Sequence, residues 1–318
     1  MHNIHDIGFP DLGIGPIKIN SEFINVNGFS VYWYAIFITL GLVCGFLYAL
    51  SIAKKFDIKK DDCYDAILVG LPACIIGARL FYILFSLEKY NSFWDMLDIR
   101  SGGLAIYGAV IFAVPTIILF CKFKKLSAFS VMDVTLSAFF IGQAIGRWGN
   151  FTNAECYGSV TNLPWGMTID GNLPVHPTFL YESLWNTIGF ILVFIAIKKG
   201  INKYKGEIAL FYVAWYGVGR GVIEGLRTDS LMLGGLRISQ IIAIVSAAAA
   251  IALMVYMRFI KKAAPDAYEE VLSGDGDFDS VRGDDETSGE TDDNADFLGQ
   301  TQIIENISAK IKEDETEK

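Results

Sequence analysis

ISQIIAIVSAAAAIALMVYM, residues 238–257, is a run of 20 residues without a charged side chain. At about 1.5 Å of helical rise per residue, such a run crosses the roughly 30 Å of hydrocarbon in a bilayer. Similar apolar stretches recur along the 318 residues, of which 53% are hydrophobic, and the mean hydropathy is +0.40. The chain is therefore predicted to be an all-α, polytopic membrane protein.

Seven membrane-spanning helices are predicted, and lysines and arginines indicate their direction. Fourteen basic residues follow the first, third, fifth and seventh spans, whereas six lie on the opposite side. Because basic residues accumulate on the cytosolic side, the N-terminus is predicted outside and the C-terminus in the cytosol. The predicted spans are residues 29–53, 63–87, 102–121, 127–146, 177–197, 207–226 and 238–257.

A region of different composition follows the last span. Residues 263–318 carry 18 acidic and 4 basic side chains, a net charge of −14, whereas residues 1–262 carry a net charge of +5. So polar a segment cannot bury enough apolar surface to order itself. We therefore expect residues 1–262 to form the membrane domain and residues 263–318 to form a disordered cytosolic tail.

Nucleic acid, metal ions and soluble cofactors are not expected as ligands. No stretch of the membrane part resembles a basic nucleic-acid-binding stripe. The five cysteines are scattered without paired spacing, so they indicate neither a zinc site nor a disulfide framework.

GRWGNFTNAECYG, residues 146–158, places charged and amide side chains at the predicted end of the fourth span. A charge near the hydrocarbon costs about 2.5 to 3.5 kcal/mol on insertion scales, so it is retained for a partner or a ligand. At the rim of a bilayer, the phosphate of a lipid is an obvious ligand for Arg147. Residues 147–176 form the longest predicted outer connection, and they are polar. They are predicted to form an outer cap, and loops of this length are often functional.

Arg220 is a second charge within apolar sequence, about 20 Å along its predicted span. Tyr216, Arg220, Glu224 and Arg227 are spaced to share one helix face, which is expected to point into the bundle. Two interpretations remain open. One is a structural Arg220–Glu224 pair that neutralises itself, and the other is an anion site to which Arg147 contributes.

Glycines and an aromatic residue mark two other helix entries. Gly102 and Gly103 open the third span, and Tyr34 lies at the start of the first. Glycines at a helix entry let an anion approach the backbone N–H groups, but they also serve close helix packing. An interfacial aromatic belt explains Tyr34 equally well. Arg79, near the end of the second span, is interpreted as a side chain that snorkels to the interface.

Taken together, these motifs resemble the prolipoprotein diacylglyceryl transferase family. The run at 146–158 resembles the signature of that family closely. The supporting motifs, in the order of the family, are WY at 33–34, GG at 102–103, HPTFLYE at 176–182 and YGVGRGVIE at 216–224. The resemblance covers about residues 5–260 and leaves the acidic tail outside.

The resemblance implies an activity and a location. The diacylglyceryl group of phosphatidylglycerol is transferred to the thiol of the lipobox cysteine in the signal peptide region of a prolipoprotein. This is the first step of lipoprotein maturation, and its products are a thioether and glycerol phosphate. The expected protein is a multi-pass component of the bacterial plasma membrane with its active site at the outer leaflet.

The resemblance also implies roles for individual residues. Arg147 holds the lipid headgroup, because a guanidinium offers planar and permanently charged donors. Asn150 and Glu155 organise the rim. Arg220, oriented by Glu224, stabilises the departing phosphate. The other residues expected to bind phosphatidylglycerol are Gly102, Gly103, Gly158 and Arg227.

One position departs from the family pattern. Many members carry histidine, a favoured general base, where this chain has Tyr107. The pKa of a free phenol is about 10, whereas that of a free thiol is about 8.5. A phenol is therefore a weak proton acceptor beside a thiol. Three explanations stay open. Neighbouring arginines lower the pKa of the phenol, the base is another residue, or the charge of the arginines alone lowers the pKa of the substrate thiol. We favour the last, with Tyr107 and Tyr34 positioning groups by hydrogen bonds.

The alternative function is a transporter for a small anionic substrate that uses Arg147 and Arg220 as its binding pair. Transporters of this kind bind their substrate near the bilayer midplane, between internal repeats with interrupted helices. In this chain the charges lie toward the outer rim, and no internal repeat is evident. The transferase is therefore the preferred interpretation.

Overall fold

The structure, a computed structural model, describes residues 4–26, 29–90, 92–97, 102–228, 232–233 and 236–260. All of them belong to one unit, Met1–Gly274, and the tail expected at 263–318 lies outside the described residues. The α-helices within these ranges are α1 (Trp33–Ile52), α2 (Lys60–Leu84), α3 (Phe93–Leu97), α4 (Ile106–Lys124), α5 (Ala128–Thr152), α6 (Thr178–Lys198), α7 (Glu207–Ile223) and α8 (Ile238–Val255).

Six helical segments in the described part of the chain are long and apolar enough to cross a membrane, which confirms a mostly helical, polytopic membrane protein. They are Trp33–Phe56, Lys60–Leu84, Ile106–Lys124, Ala128–Thr152, Thr178–Lys198 and Ile238–Ile260. The remaining predicted span corresponds to α7, which has 17 residues and continues as a 3-10 turn over Glu224–Leu226. Each predicted span therefore overlaps one long helix.

Helix α5 is longer than predicted. The sequence predicts the end of the fourth span at residue 146, but the helix continues to Thr152. Gly146, Gly149 and Asn150 are buried in this additional stretch. The polar motif therefore begins on a helix packed against its neighbours, and the cap segment, residues 147–176, starts with the last turns of α5.

Helix α5 also has the most neighbours in the bundle. It packs against α1, α4, α6 and α7, while α2 packs on α4 and α8 packs on α7. Small residues bring the backbones of α1 and α5 together, since a Cβ added at Gly41 would lie 3.0 Å from the carbonyl oxygen of Gly142. Close approach through small residues is a common way for helices to associate in lipid.

A buried carboxylate fixes the start of α7. Asp133 of α5 is fully buried, and its two carboxylate oxygens accept hydrogen bonds from the backbone N–H groups of Gly206 (2.7 Å) and Ala209 (2.8 Å). The first N–H groups of a helix have no partner within the helix and attract negative charge. Asp133 therefore sets the position of α7 on α5.

Short strands, which are not part of the all-α prediction, cover one end of the bundle. Ile7 and Ile169 of the larger sheet pack with Met167 and Phe179 beneath them. That sheet is antiparallel and has the order β2 (Ile14–Asn20), β1 (Ile4–Phe9), β5 (Thr168–Ile169). The other strands form two antiparallel pairs, β3 (Glu22–Val26) with β4 (Phe29–Tyr32) and β6 (Met232–Leu233) with β7 (Leu236–Arg237). The N-terminal strand therefore pairs with the cap segment.

Gly77 and Gly70 of α2 provide a matched test of helix packing. A Cβ at Gly77 would lie 2.6 Å from the carbonyl oxygen of Gly108 on α4, whereas nothing lies within 4 Å of a Cβ at Gly70. We expect Gly77→Leu to force α2 and α4 apart and to lower the free energy of unfolding by about 1–3 kcal/mol. Gly70→Leu should leave stability unchanged or slightly raised. Thermal unfolding in detergent measures both, and equal effects would contradict the close packing of α2 on α4.

Candidate active site

Glu182 joins three arginines that come from different parts of the bundle. It lies in the second turn of α6, and its side chain is only 6% exposed. Glu182 Oε2 forms an ion pair with Arg147 Nη2. Glu182 Oε1 lies 3.3 Å from Arg220 Nη1 and 3.7 Å from Arg227 Nη1. One carboxylate therefore gathers guanidinium groups from α5, from α7 and from the residue that follows the 3-10 turn.

A second carboxylate, that of Glu224, contacts Arg220. We call these two glutamates and the three arginines the arginine cluster. Glu224 Oε2 lies 2.6 Å from Arg220 Nη2, so the pair predicted from helical spacing is confirmed. Ser239 Oγ of α8 donates a hydrogen bond of 2.6 Å to Glu224 Oε1, and the Arg237 guanidinium donates to the backbone carbonyl of Glu224. Glu224 is therefore oriented by residues at the start of α8.

Three arginines meet two glutamates in the arginine cluster of the described residues. Three guanidinium groups, those of Arg147, Arg220 and Arg227, face the carboxylates of Glu182 and Glu224. A guanidinium group offers planar and permanently charged donors, so a cluster of three such groups suits an anion. The two interpretations of Arg220 are thus compatible, because a structurally paired arginine still belongs to a cluster suited to an anion.

Asn150 connects the arginine cluster to the cap segment. Arg147 Nη1 donates a hydrogen bond of 3.3 Å to Asn150 Oδ1, and Asn150 Nδ2 donates one of 2.9 Å to Glu155 Oε1. Tyr34 of α1 packs against the same helix, since a Cβ at Gly149 would come within 2.6 Å of its ring. The structure therefore brings together four of the residues that the sequence singled out.

Gly158 holds the cap segment against the end of α7. Its N–H group donates a hydrogen bond of 2.9 Å to the carbonyl of His176, and it forms an isolated antiparallel bridge with Arg227. A Cβ at this position would lie 2.8 Å from His176 Cβ and 3.0 Å from the carbonyl oxygen of Leu226. Only a residue without a Cβ allows this approach. Gly158 therefore helps to position the backbone of Arg227.

Arg79 turns inward, and its interpretation as a snorkelling side chain is wrong. It is only 5% exposed, and its guanidinium donates to the backbone carbonyls of Asp95 (3.0 Å), Met96 (2.8 Å), Gly102 (2.6 Å) and Gly103 (3.1 Å). Both glycines have positive φ, 85° and 81°, which other residues rarely adopt. Carbonyls without partners are costly near lipid, so the arginine stabilises this irregular segment. The glycines contact Arg79 through their carbonyls, which leaves the prediction about their N–H groups untested.

Tyr107 lies in the first turn of α4, shortly after Gly102 and Gly103, and α4 packs on α2. Its ring centre lies 6.4 Å from that of Phe81, and the residue is 49% exposed. The predicted site residues therefore form two groups, the arginine cluster with its rim and the pair Gly102–Gly103 with Tyr107.

Similarity to known proteins identifies the family. A family model described as LGT, prolipoprotein diacylglyceryl transferase, matches residues 21–256. The chain belongs to the prolipoprotein diacylglyceryl transferase family. Relatives from Finegoldia magna and Clostridioides difficile, both named phosphatidylglycerol–prolipoprotein diacylglyceryl transferase, are 45% and 39% identical to it. These similarities cover 69% and 72% of this chain and 88% and 92% of the relatives. A protein of the same name from Listeria welshimeri is 41% identical over 81% of this chain and 96% of its own length.

The match to the prolipoprotein diacylglyceryl transferase family confirms the resemblance seen in the motifs. Both groups of site residues lie inside the matched range, 21–256. The acidic segment 263–318 lies outside it, as the sequence motifs indicate.

Sequence reasoning assigns no role to Glu182, although this residue lies in the HPTFLYE motif of the family. A carboxylate within an apolar span is itself a signal, because it requires a cationic partner. Its three partners are distant in sequence and come from other structural elements. Rules based on helical spacing therefore find the Arg220–Glu224 pair and miss the residue that connects all three arginines.

Glu182→Gln tests whether one carboxylate holds the arginine cluster together. The amide keeps the size of the side chain and removes the carboxylate that three guanidinium groups share. Because breaking a buried ion pair costs about 3–5 kcal/mol, we expect a marked fall in the unfolding temperature in detergent.

Glu155→Gln is the control for this substitution. Glu155 is exposed and accepts hydrogen bonds from the amides of Asn150 and Asn153, so its change should cost less than about 1 kcal/mol. If both variants unfolded at the temperature of the wild type, Glu182 would not be the residue that holds the arginines.

Proposed function

We propose that this chain transfers the diacylglyceryl group of phosphatidylglycerol to the thiol of the lipobox cysteine of prolipoproteins. Membership of the prolipoprotein diacylglyceryl transferase family and the names of its bacterial relatives support transfer between these substrates. At the level of the site, the proposal rests on the arginine cluster around Glu182, which gathers three guanidinium groups inside a membrane bundle. A phosphate is the part of phosphatidylglycerol that such a cluster binds.

The proposed reaction exchanges a carbon–oxygen bond for a carbon–sulfur bond. The cysteine thiol gives its proton to water, and the thiolate attacks the glyceryl carbon that carries the phosphate. The bond between this carbon and the phosphate oxygen breaks, and its electron pair leaves with glycerol phosphate. Negative charge moves from sulfur to the phosphate, so fixed donors beside the phosphate lower the barrier.

Arg147 and Arg220 are assigned to the phosphate. Both are held by Glu182, and Arg147 is held by Asn150 as well. Guanidinium groups that are already oriented stabilise a transition state without reorganisation at the moment of reaction. Arg147 then holds the headgroup, and Arg220, oriented by Glu224, stabilises the departing phosphate. Arg227 and Gly158 complete the binding side of the cluster, with Asn150 and Glu155 at its rim.

Formation of the thiolate is assigned to the field of the arginines. Positive charge beside a thiol lowers its pKa, because it favours the charged form. Tyr34 packs against the helix that carries Arg147, whereas Tyr107 lies with Gly102 and Gly103 on the α2–α4 pair. We assign both phenols to positioning by hydrogen bonds, and the two glycines to the lining of the lipid site.

The proposed orientation places the arginine cluster at the outer leaflet of the plasma membrane. Helix α7 and its 3-10 turn extend from Glu207 to Leu226, which at about 1.5 Å per residue is close to the thickness of the hydrocarbon. The chain then crosses the membrane seven times, with its N-terminus outside and the basic connections in the cytosol. Lipid and signal peptide enter sideways between helices, so that the acyl chains stay in hydrocarbon.

Release of glycerol phosphate from phosphatidylglycerol and a lipobox peptide tests the function. In purified wild-type protein we expect release that requires the peptide cysteine. Arg147→Ala should reduce turnover at least about a hundredfold, because the removed donor is charged and acts on the phosphate. Arg258→Ala is the control. Arg258 follows α8 and lies 3.4 Å from Glu207, at the opposite end of α7 from the arginine cluster, so this variant should keep near wild-type turnover. A folded wild type without any release would instead favour the anion transporter, and uptake into liposomes would then be measured.

Tyr107→Phe separates a positioning phenol from a proton acceptor. If the arginine field produces the thiolate, this variant should keep turnover within about tenfold of the wild type, the scale of one neutral hydrogen bond. The pH dependence of its turnover should also match that of the wild type. Complete loss of turnover with intact binding of phosphatidylglycerol would make the phenol the proton carrier.

A further inference from the structure

Two neighbouring polar side chains, those of Ser239 and Gln240, lie in the first turn of α8. The other residues of α8 are apolar, apart from Ser246 in the middle of the helix. A polar side chain within an apolar span is costly, so it is retained for a partner. Ser246 has its partner in α8 itself, because its Oγ donates a hydrogen bond of 3.0 Å to the backbone carbonyl of Ala243. Ser239 and Gln240 instead contact the end of α7 and the turn that follows it.

The first turn of α8 holds the part of the chain that follows Arg220. Gln240 Nε2 donates a hydrogen bond of 2.7 Å to the backbone carbonyl of Gly221, the residue directly after Arg220. Ser239 Oγ donates one of 2.6 Å to Glu224 Oε1, and Glu224 lies four residues after Arg220. Residues spaced by four share one helix face, so the Ser239 hydroxyl binds the same carboxylate that faces Arg220.

The carboxylate of Glu224 is contacted at both of its oxygens. Oε2 lies 2.6 Å from Arg220 Nη2, and Oε1 accepts the hydrogen bond from Ser239. The side chain of Glu224 is only 2% exposed. The last side-chain bond of a glutamate turns easily, so a contact at one oxygen alone leaves the plane of the carboxylate variable. Because Ser239 binds the second oxygen, it contributes to the direction in which Glu224 presents Oε2 to the guanidinium group.

The direction of the Arg220 guanidinium matters most where charge develops. Donors that already point at the departing phosphate lower the barrier, and the planar guanidinium donates in fixed directions. Binding of the lipid headgroup is assigned to Arg147, which Glu182 and Asn150 hold. A loss of orientation at Arg220 should therefore lower kcat more than it weakens the binding of the lipid.

We propose that Ser239 is a positioning residue for diacylglyceryl transfer, which acts through Glu224 to orient Arg220 toward the departing phosphate. The inference rests on the proposed function, because it uses the role assigned to Arg220. Ser239 contacts Glu224, so its effect reaches the reaction through one carboxylate and one guanidinium group. The start of α8 thus supports the transfer site from a helix that carries none of the three clustered arginines.

Ser239→Ala tests this role in the release of glycerol phosphate from phosphatidylglycerol and a lipobox peptide. We expect kcat to fall about tenfold, the lower end of the scale for one hydrogen bond to a charged group, and KM for the lipid to change less than about twofold. Ser239→Thr keeps the hydroxyl and should restore most of the turnover. Ser246→Ala is the matched control and should keep wild-type turnover, because it removes a hydroxyl of the same helix that binds within the helix.

A double-mutant cycle with Glu224→Gln tests whether Ser239 acts through Glu224. With Glu224 in place, Ser239→Ala should cost about tenfold in kcat. In the Glu224→Gln enzyme the same substitution should cost less than about threefold, because the hydrogen bond that it removes no longer involves a charge. If the Glu224 variant does not fold, the separate effects on kcat and KM and the recovery by Ser239→Thr provide the test.

The outcomes separate the role of Ser239 from the function on which it depends. A wild type that releases no glycerol phosphate overturns the proposed function itself. An active wild type together with a Ser239→Ala variant of unchanged kcat overturns the positioning role alone. The same role is overturned if KM rises while kcat stays constant, if Ser239→Thr is as slow as Ser239→Ala, or if Ser246→Ala is equally slow. Equal costs of Ser239→Ala in both backgrounds of the cycle would show that it does not act through Glu224, which also overturns the inference.

Discussion

The carboxylate of Glu182 and the guanidinium groups around it determine how α5, α6 and α7 fit together. Apolar helices in lipid gain little by choosing one register over another, since the lipid tails are as apolar as their neighbours. A buried charge is different, because removing its partner costs several kcal/mol. Movement of any of these helices would separate Glu182 from Arg147 or Arg220. The ion pairs therefore specify one arrangement among the many that apolar packing allows.

The start of α7 is also held by a buried carboxylate of a neighbouring helix. Asp133 of α5 accepts hydrogen bonds from the first N–H groups of α7, so both ends of this helix are held by carboxylates of neighbouring helices. Donors that are held in this way need not reorganise when charge develops on a substrate, which is what electrostatic catalysis requires. In the proposed reaction, the contacts that stabilise the bundle therefore also orient Arg220 for an anion.

Features that depend on local sequence were predictable, and features that depend on distant partners were not. Apolar runs predicted the six helices that are long enough to cross a membrane, and spacing of four residues predicted the Arg220–Glu224 pair, because both follow from the geometry of one helix. The role of Glu182, the inward turn of Arg79 and the strand pairing of residues 4–9 with 168–169 all depend on segments far apart in the chain. The end of α5 was misplaced for a related reason. Its polar residues suggest a loop, but Asn150 is buried against neighbouring elements and continues the helix.

In the proposed reaction, the guanidinium groups of Arg147 and Arg220 favour the thiolate in place of the usual histidine base. A proton acceptor must contact the thiol, but a charge acts over a distance, and its effect is stronger where water is excluded. Arg147 and Arg220 are fixed by Glu182, whereas Tyr107 is half exposed on another helix pair. In the proposed reaction the same two guanidinium groups therefore have two roles, because they bind the phosphate and also favour the thiolate that attacks beside it.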